Sequence, residues 1–170
     1  PDIKKLVAYS SVSHMGYIIL GLFVLNQYGI TGGLYQMLNH GISTGALFLL
    51  IGMIYERTHS REISKYGGLA SVLPIFTTFF FIITLSSIAV PLTNGFIGEF
   101  LILLGTFSAA PVYAYFAVTG VVLGAAYMLW MFKRVFFGPK GELVKDEKHP
   151  LKDLSLREIV VMVPLVILVF

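Results

Sequence analysis

Apolar residues occur along this chain in five long stretches, separated by short segments that hold nearly all of the charge. The stretches cover about residues 6–25, 31–55, 72–107, 111–132 and 159–170. A helix needs about 20 residues to cross the hydrocarbon core of a bilayer, because each residue rises about 1.5 Å. The first, second and fourth stretches therefore fit one crossing each. The pattern predicts an all-α fold, a polytopic transmembrane helical bundle. We expect the chain to be a piece of a longer membrane protein, since the last stretch is still apolar at residue 170.

The composition supports the membrane class. Of the 170 residues, 56% are hydrophobic and 12% are charged, whereas a soluble domain carries about 25% charge. So little charge does not cover a surface in water, and so apolar a chain is not disordered. The sequence has 0 cysteines, which excludes a disulfide framework and thiolate or iron–sulfur ligation within it.

The basic residues indicate how the chain crosses the membrane. All 12 Lys and Arg residues precede the first stretch, lie between the second and third, or lie between the fourth and fifth. The turns at residues 26–29 and 108–111 have none. If each stretch crosses once, every basic residue lies on one side, and the positive-inside rule predicts that this side is cytoplasmic.

The third stretch is too long for one straight crossing, and its middle holds residues that break helices. These are Pro91, Thr93, Asn94 and Gly95. Proline removes a backbone donor, a threonine or asparagine can cap a new helix, and glycine relaxes the backbone. The sequence therefore predicts a discontinuous helix, broken near 91–95. Such a break is tolerated at membrane depth only inside protein or beside a wet cavity, and transporters place ion sites there. The alternative is a long, tilted helix with a proline kink.

Glu99 is the only acidic residue well inside an apolar stretch. A carboxylate facing lipid costs several kcal/mol, so the side chain is expected to face protein or water. Burial disfavours its charge, whereas the start of a half-helix favours the anion. These opposing influences suit a group that takes up and releases a proton. The alternative is a structural carboxyl that is protonated or paired with a basic group.

His14 and His40 are the other groups predicted to take part in proton transfer. Counted along their helices, both lie near the depth of Glu99. A neutral imidazole accepts on one nitrogen and donates on the other, so it can pass a proton. The alternative for each is a core histidine bonded to a neighbour. A metal centre made from these three groups is not predicted, because none of the usual short ligand spacings is present.

Other polar residues share faces with the two histidines and predict a polar lining. They are Ser10, Tyr17, Gln36, Asn39 and Ser43. The alternative is ordinary hydrogen bonding between packed helices. The G-x-x-x-G pairs at Gly41 and Gly45 and at Gly120 and Gly124 indicate weakly that another helix approaches closely.

Three runs of sequence resemble one known family. They are Asp2 to Gly16 (DIKKLVAYSSVSHMG), Asn39 to His59, and Pro91 to Phe100 (PLTNGFIGEF). They resemble the antiporter-like membrane subunits of respiratory complex I, the NADH:quinone oxidoreductase, and the resemblance extends over essentially the whole chain. It implies a fourteen-helix subunit in which the five stretches are helices ten to fourteen.

The resemblance also implies a function. His14 and His40 match histidines of the family's central proton-carrying axis, and Glu99 matches the ionisable residue of its broken helix, where sister subunits have lysine. This implies a subunit of a proton-translocating enzyme in a membrane, here the bacterial inner membrane. NADH, flavin, iron–sulfur clusters and quinone are expected in partner subunits, with no cofactor in this chain. The expected partners are other membrane and peripheral subunits, lipid, protons and water, and no nucleic acid.

Two alternatives stay open at this point. The chain also fits a subunit of a multi-subunit cation/proton antiporter or of a membrane-bound hydrogenase, which the resemblance implies share the fold. In a different class, it fits a structural scaffold whose polar groups only hold helices together.

Overall fold

The computed structural model describes residues 1–145 and 150–170, and helices dominate that part of the chain. The six helices are α1 (Ile3–Phe23), α2 (Gln27–Thr58), α3 (Pro74–Ser87), α4 (Asn94–Ala109), α5 (Pro111–Phe136) and α6 (Leu156–Ile167). Two short 3₁₀ turns, Ile63–Lys65 and Leu69–Ser71, lie between α2 and α3. The predicted all-α class is confirmed.

Three of these helices, α1, α2 and α5, are long and apolar enough to cross a membrane. α2 begins earlier than the predicted 31–55, because Asn26 caps it by accepting a hydrogen bond from the Gly29 backbone N–H at 2.8 Å. It ends at Thr58, where His59 has a left-handed φ of 48°. α5 runs to Phe136, four residues beyond the predicted end of 111–132.

The third apolar stretch forms two helices, α3 and α4, separated by residues 88–93. The break overlaps the predicted region near 91–95 but begins about three residues earlier, and Asn94 and Gly95 already belong to the first turn of α4. The predicted side-chain cap was wrong. The Thr93 hydroxyl instead donates to the Val90 carbonyl at 2.7 Å, and the Asn94 amide donates to the Leu168 carbonyl, just after α6.

Glycines bring α2 and α4 into close contact. A methyl carbon built on Gly32 would lie 2.7 Å from the Ile102 backbone nitrogen, and one on Gly105 would lie 2.4 Å from that of Gly29. By contrast, one built on Gly41 or Gly45 would meet no described atom within 4 Å. The close approach of the α2 and α4 backbones therefore occurs at glycines other than Gly41, Gly45, Gly120 and Gly124.

The loop before α6 is bound to the ends of two other helices. The Asp153 carboxylate accepts the backbone N–H groups of Ile75 and Phe76, at 2.8 and 3.0 Å, and so caps α3. Arg57, at the end of α2, donates from two nitrogens to Glu158 at 2.8 and 2.7 Å. This ion pair joins the last turn of α2 to the first turn of α6, before the apolar part of α6, and its hydrogen bonds lower the pKa of Glu158 to about 2.

Replacing Arg57 with glutamine should lower the stability of the membrane protein by about 1–3 kcal/mol, because two charge-assisted hydrogen bonds are lost. The pair stabilises the fold fully above about pH 4.5, and this contribution is lost as the pH falls towards 2. The difference between wild-type and variant unfolding temperatures should therefore be constant above about pH 4.5 and shrink below it.

Lys65→Gln is the matched control, since Lys65 and Glu62 form an exposed pair at 3.6 Å that contributes little. An unchanged unfolding temperature in Arg57→Gln, or an equal loss in Lys65→Gln, would contradict the prediction.

Candidate functional site

The carboxylate of Glu99 lies buried among α1, α2 and α4, with only 4% of the residue exposed. Its Oε1 is 3.1 Å from Nδ1 of His14 on α1. The same oxygen accepts a hydrogen bond from Nε2 of Gln36 on α2 at 3.3 Å. Glu99 therefore meets polar partners from two other helices, as its burial requires.

His40 extends this group along α2. Its ring centroid lies 5.4 Å from that of His14, with the planes tilted by 37°. The Thr44 hydroxyl, one turn further along α2, lies 3.2 Å from Nδ1 of His40. The structure thus brings the three predicted proton-transfer residues together in the order Glu99, His14, His40, which we call the carboxylate–imidazole file.

Gly98 makes room for the partner of Glu99. A methyl carbon built on Gly98 would lie 2.3 Å from Oε1 of Gln36, so any larger residue would displace the amide that bonds the carboxylate. That Oε1 is buried and has no hydrogen-bond partner among the described residues. The Gln36 amide, which lies beside Glu99, can therefore still accept a hydrogen bond at Oε1.

Two residues of the predicted lining lie at the break between α3 and α4. The Asn39 amide donates to the Asn94 carbonyl at 2.8 Å. The hydroxyls of Ser43 and Ser86 lie 2.8 Å apart, and Ser86 donates to Oδ1 of Asn94 at 2.9 Å. These four buried residues, Asn39, Ser43, Ser86 and Asn94, form what we call the break network.

The remaining two lining residues direct their hydroxyls to backbone carbonyls. Ser10 donates to the Val7 carbonyl at 2.7 Å within α1, and Tyr17 donates to the Ala117 carbonyl on α5. Tyr17 therefore joins α1 to α5, a contact typical of interhelical packing.

Sequence reasoning missed Ser86 and Thr44. Ser86 lies in an apolar run just before the predicted break. A hydroxyl residue at that position could have been predicted to join the polar contacts there. Thr44 follows His40 by four residues, which places both on one helix face. Tyr127 was also missed, and its buried hydroxyl has no hydrogen-bond partner among the described residues.

Within residues 1–145 and 150–170, no group of three or more His, Asp or Glu side chains is arranged to hold a metal ion. The contacts of His14 and Gln36 with Glu99 are hydrogen bonds between side chains. The chemistry that this arrangement supports is proton exchange between a carboxyl group and imidazoles.

Long apolar helices around a buried carboxylate and two histidines define a class, the helical membrane proteins with titratable side chains inside the bundle. Within that class the chain belongs to the family described as NADH:quinone oxidoreductase/Mrp antiporter, TM, whose model matches residues 1–124. The family resemblance seen in the sequence is thereby confirmed.

Individual relatives agree. NADH-quinone oxidoreductase subunit M of Rhodobacter capsulatus is 49% identical over 165 residues, which are 97% of this chain and 32% of that protein. The structure of respiratory complex I from Thermus thermophilus with bound NADH contains a chain that superposes with a TM-score of 0.88. The two chains are 39% identical, over 98% of this chain and 34% of that one.

A second solved structure broadens the comparison. The membrane-bound sulfane sulfur reductase, an archaeal respiratory membrane complex, has a chain that superposes with a TM-score of 0.89. The identity is 34%, over 99% of this chain and 27% of that one. This chain thus spans about a third of the length of the relatives it matches.

Proposed function

We propose that the protein is a proton-translocating membrane subunit of an NADH:quinone oxidoreductase and that Glu99, His14 and His40 carry the proton. The observation that carries the proposal is the 3.1 Å contact between His14 and the buried Glu99. Two titratable groups from different helices are costly to bury in an apolar bundle, even at hydrogen-bond distance. Their presence there therefore indicates a function. The 49% identity to a relative named subunit M supports the choice of complex.

In this proposal each residue takes up one proton and passes one on to the next residue. A proton delivered to His40 moves through His14 to the Glu99 carboxylate, which becomes a neutral acid and later releases it to the far side. Moving one charge against 100 mV costs about 2.3 kcal/mol. The transfer must therefore be driven, and the energy comes from electron transfer between NADH and quinone in partner subunits. This chain is expected to hold no redox centre itself.

We further propose that α3 and α4 form one discontinuous span. The chain then crosses five times and forms the C-terminal part of an antiporter-like proton-translocation domain. This keeps the basic residues on one side, because the segments that hold them contact one another. The Ile3 N–H donates to the Arg61 carbonyl at 2.9 Å, and the Leu143 N–H donates to the Lys65 carbonyl at 3.2 Å. The positive-inside rule makes that side cytoplasmic, in a bacterial inner membrane.

Two observations bear on which complex the protein belongs to. The family description includes Mrp antiporters, and the superposition on an archaeal sulfane sulfur reductase is as close as that on complex I. A multi-subunit cation/proton antiporter is therefore the second candidate, and membrane-bound hydrogenases are a related one. Identifying the soluble subunits that co-purify with the protein separates these possibilities.

Replacing His14 with alanine tests proton transfer against a purely structural role. We expect proton pumping per assembled complex to fall by about tenfold or more, because the link between His40 and Glu99 is removed. The measurements are proton uptake into vesicles and, separately, the amount of assembled complex. If the polar groups only hold helices together, assembly falls and the complexes that remain pump normally. That outcome would contradict the proposal.

A further inference from the structure

Asn94 has an unusual set of contacts at the break. Its backbone N–H donates to the Val169 carbonyl at 2.7 Å, and its side-chain Nδ2 donates to the Leu168 carbonyl at 3.0 Å. Its Oδ1 accepts from Ser86, and its backbone carbonyl accepts from Asn39. All four polar groups of one residue are bonded to three other segments, the end of α3, the middle of α2 and the chain just after α6.

The break needs such support because its backbone is strained. Ala89 has a φ of 55° and Leu92 a φ of 81°, values that residues with a Cβ rarely adopt. A conformation of this kind persists only when the surrounding structure over-determines it. Gly95 contributes as well, since a methyl carbon there would lie 2.4 Å from the Ser86 carbonyl oxygen. The ends of α3 and α4 are therefore held by close packing and by Asn94.

The break network and the carboxylate–imidazole file share two helices. On α2, Gln36 bonds Glu99 and Asn39 bonds Asn94, one turn apart. On α4, Asn94 begins the helix and Glu99 follows five residues later. Because α4 is continuous between them, the position of Asn94 fixes where Glu99 stands relative to His14.

We propose that Asn94 is a positioning residue for proton transfer, which ties the start of α4 to α3 through Ser86 and to α2 through Asn39 and thereby sets the distance between Glu99 and His14. This inference rests on the proposed function. Proton transfer requires hydrogen-bond distance, and displacement by about 1 Å reduces the rate of a positioned reaction by as much as about 100-fold. Loss of the anchor should therefore impair transfer while the α2–α4 packing persists.

The test is Asn94→Ala in the complete complex, with Asn26→Ala as the matched control. Asn26 also joins α2 to α4, because its Nδ2 donates to the Gly105 carbonyl at 2.7 Å, but it lies at the opposite end of α4 from the break. The measurements are the amount of assembled complex, the protons pumped per NADH oxidised, and the dependence of pumping on pH.

We expect Asn94→Ala to lower the protons pumped per NADH about tenfold and to change the pH profile. Asn26→Ala should lower only the amount of complex. Ser86→Ala removes one hydrogen bond to Asn94 and should produce a smaller loss in the same direction. If Asn94→Ala fails to assemble, Ser86→Ala provides the test of the inference. Normal pumping in Ser86→Ala and Asn94→Ala, or equal losses in Asn26→Ala, would overturn the inference. Loss of pumping in Glu99→Gln alone would then leave the proposed function standing.

Discussion

Replacing Glu99 with glutamine is expected to abolish proton pumping by the assembled complex. Glutamine has nearly the same shape, and its side-chain oxygen can still accept from Gln36, which now bonds Oε1 at 3.3 Å. It does not exchange a proton near neutral pH, and a positioned proton-transfer group contributes about 100-fold or more to a rate. Pumping is measured in vesicles after addition of NADH and is divided by the amount of assembled complex.

Glu62→Gln is the control for the loss of a carboxylate, because Glu62 is exposed in the loop after α2. It should pump at the wild-type level. Normal pumping in Glu99→Gln would remove Glu99 from the mechanism. Glu99→Lys should be a milder change, since the family resemblance implies a lysine at this position in sister subunits. Rotation of the Gln36 amide would turn its Oε1, which has no partner among the described residues, towards an ammonium group at this position.

Replacing Gly32 with alanine is expected to reduce the amount of assembled protein severely. The added methyl carbon would lie 2.7 Å from the Ile102 backbone nitrogen and 2.8 Å from the Leu101 side chain. Backbone atoms cannot yield as a flexible side chain can, so α2 and α4 must separate. Overpacking of this kind typically costs about 1–3 kcal/mol, and it would also move Gln36 away from Glu99. The measurement is the amount of protein that remains in the membrane and assembles.

Gly41→Ala is the matched control on the same helix, because its methyl group meets no described atom within 4 Å. This variant should assemble as the wild type does. Normal assembly in Gly32→Ala would show that the contact between α2 and α4 is looser than the structure indicates.

The helical elements could be predicted from sequence because the membrane imposes a single dominant rule. Apolar stretches of sufficient length form helices, and turns lie where that pattern stops. The ends of α2 were less predictable, since they depend on a cap by Asn26 and on a left-handed residue, His59. The break was predicted near Pro91, yet α3 already ends at Ser87, four residues before it, and Ala89 follows with a positive φ.

The meeting of Glu99, His14 and His40 was predictable because counting residues along each helix gives a depth. Depth does not reveal which faces meet, so the sequence did not distinguish Asn39, which reaches the break, from Gln36, which reaches Glu99. The contacts of Asn94 with Leu168 and Val169 were not predictable, because they join segments more than 70 residues apart in the chain. The roles of Glu99, His14 and His40 in proton transfer stay predictions, as does the positioning role of Asn94.

The 3.1 Å contact between His14 Nδ1 and Glu99 ties the tautomer of one ring to the ionisation of one acid. Beside the carboxylate, Nδ1 must carry the hydrogen; beside the carboxylic acid, the O–H donates and Nδ1 must be bare. If the His14 ring is neutral in both cases, its Nε2 is bare beside the carboxylate and carries the hydrogen beside the carboxylic acid. In the proposed transfer, each proton that passes from His14 to Glu99 leaves the imidazole in the tautomer opposite to the one that the next proton needs. A resetting event, either rotation of the ring or return of its hydrogen, must separate successive turnovers.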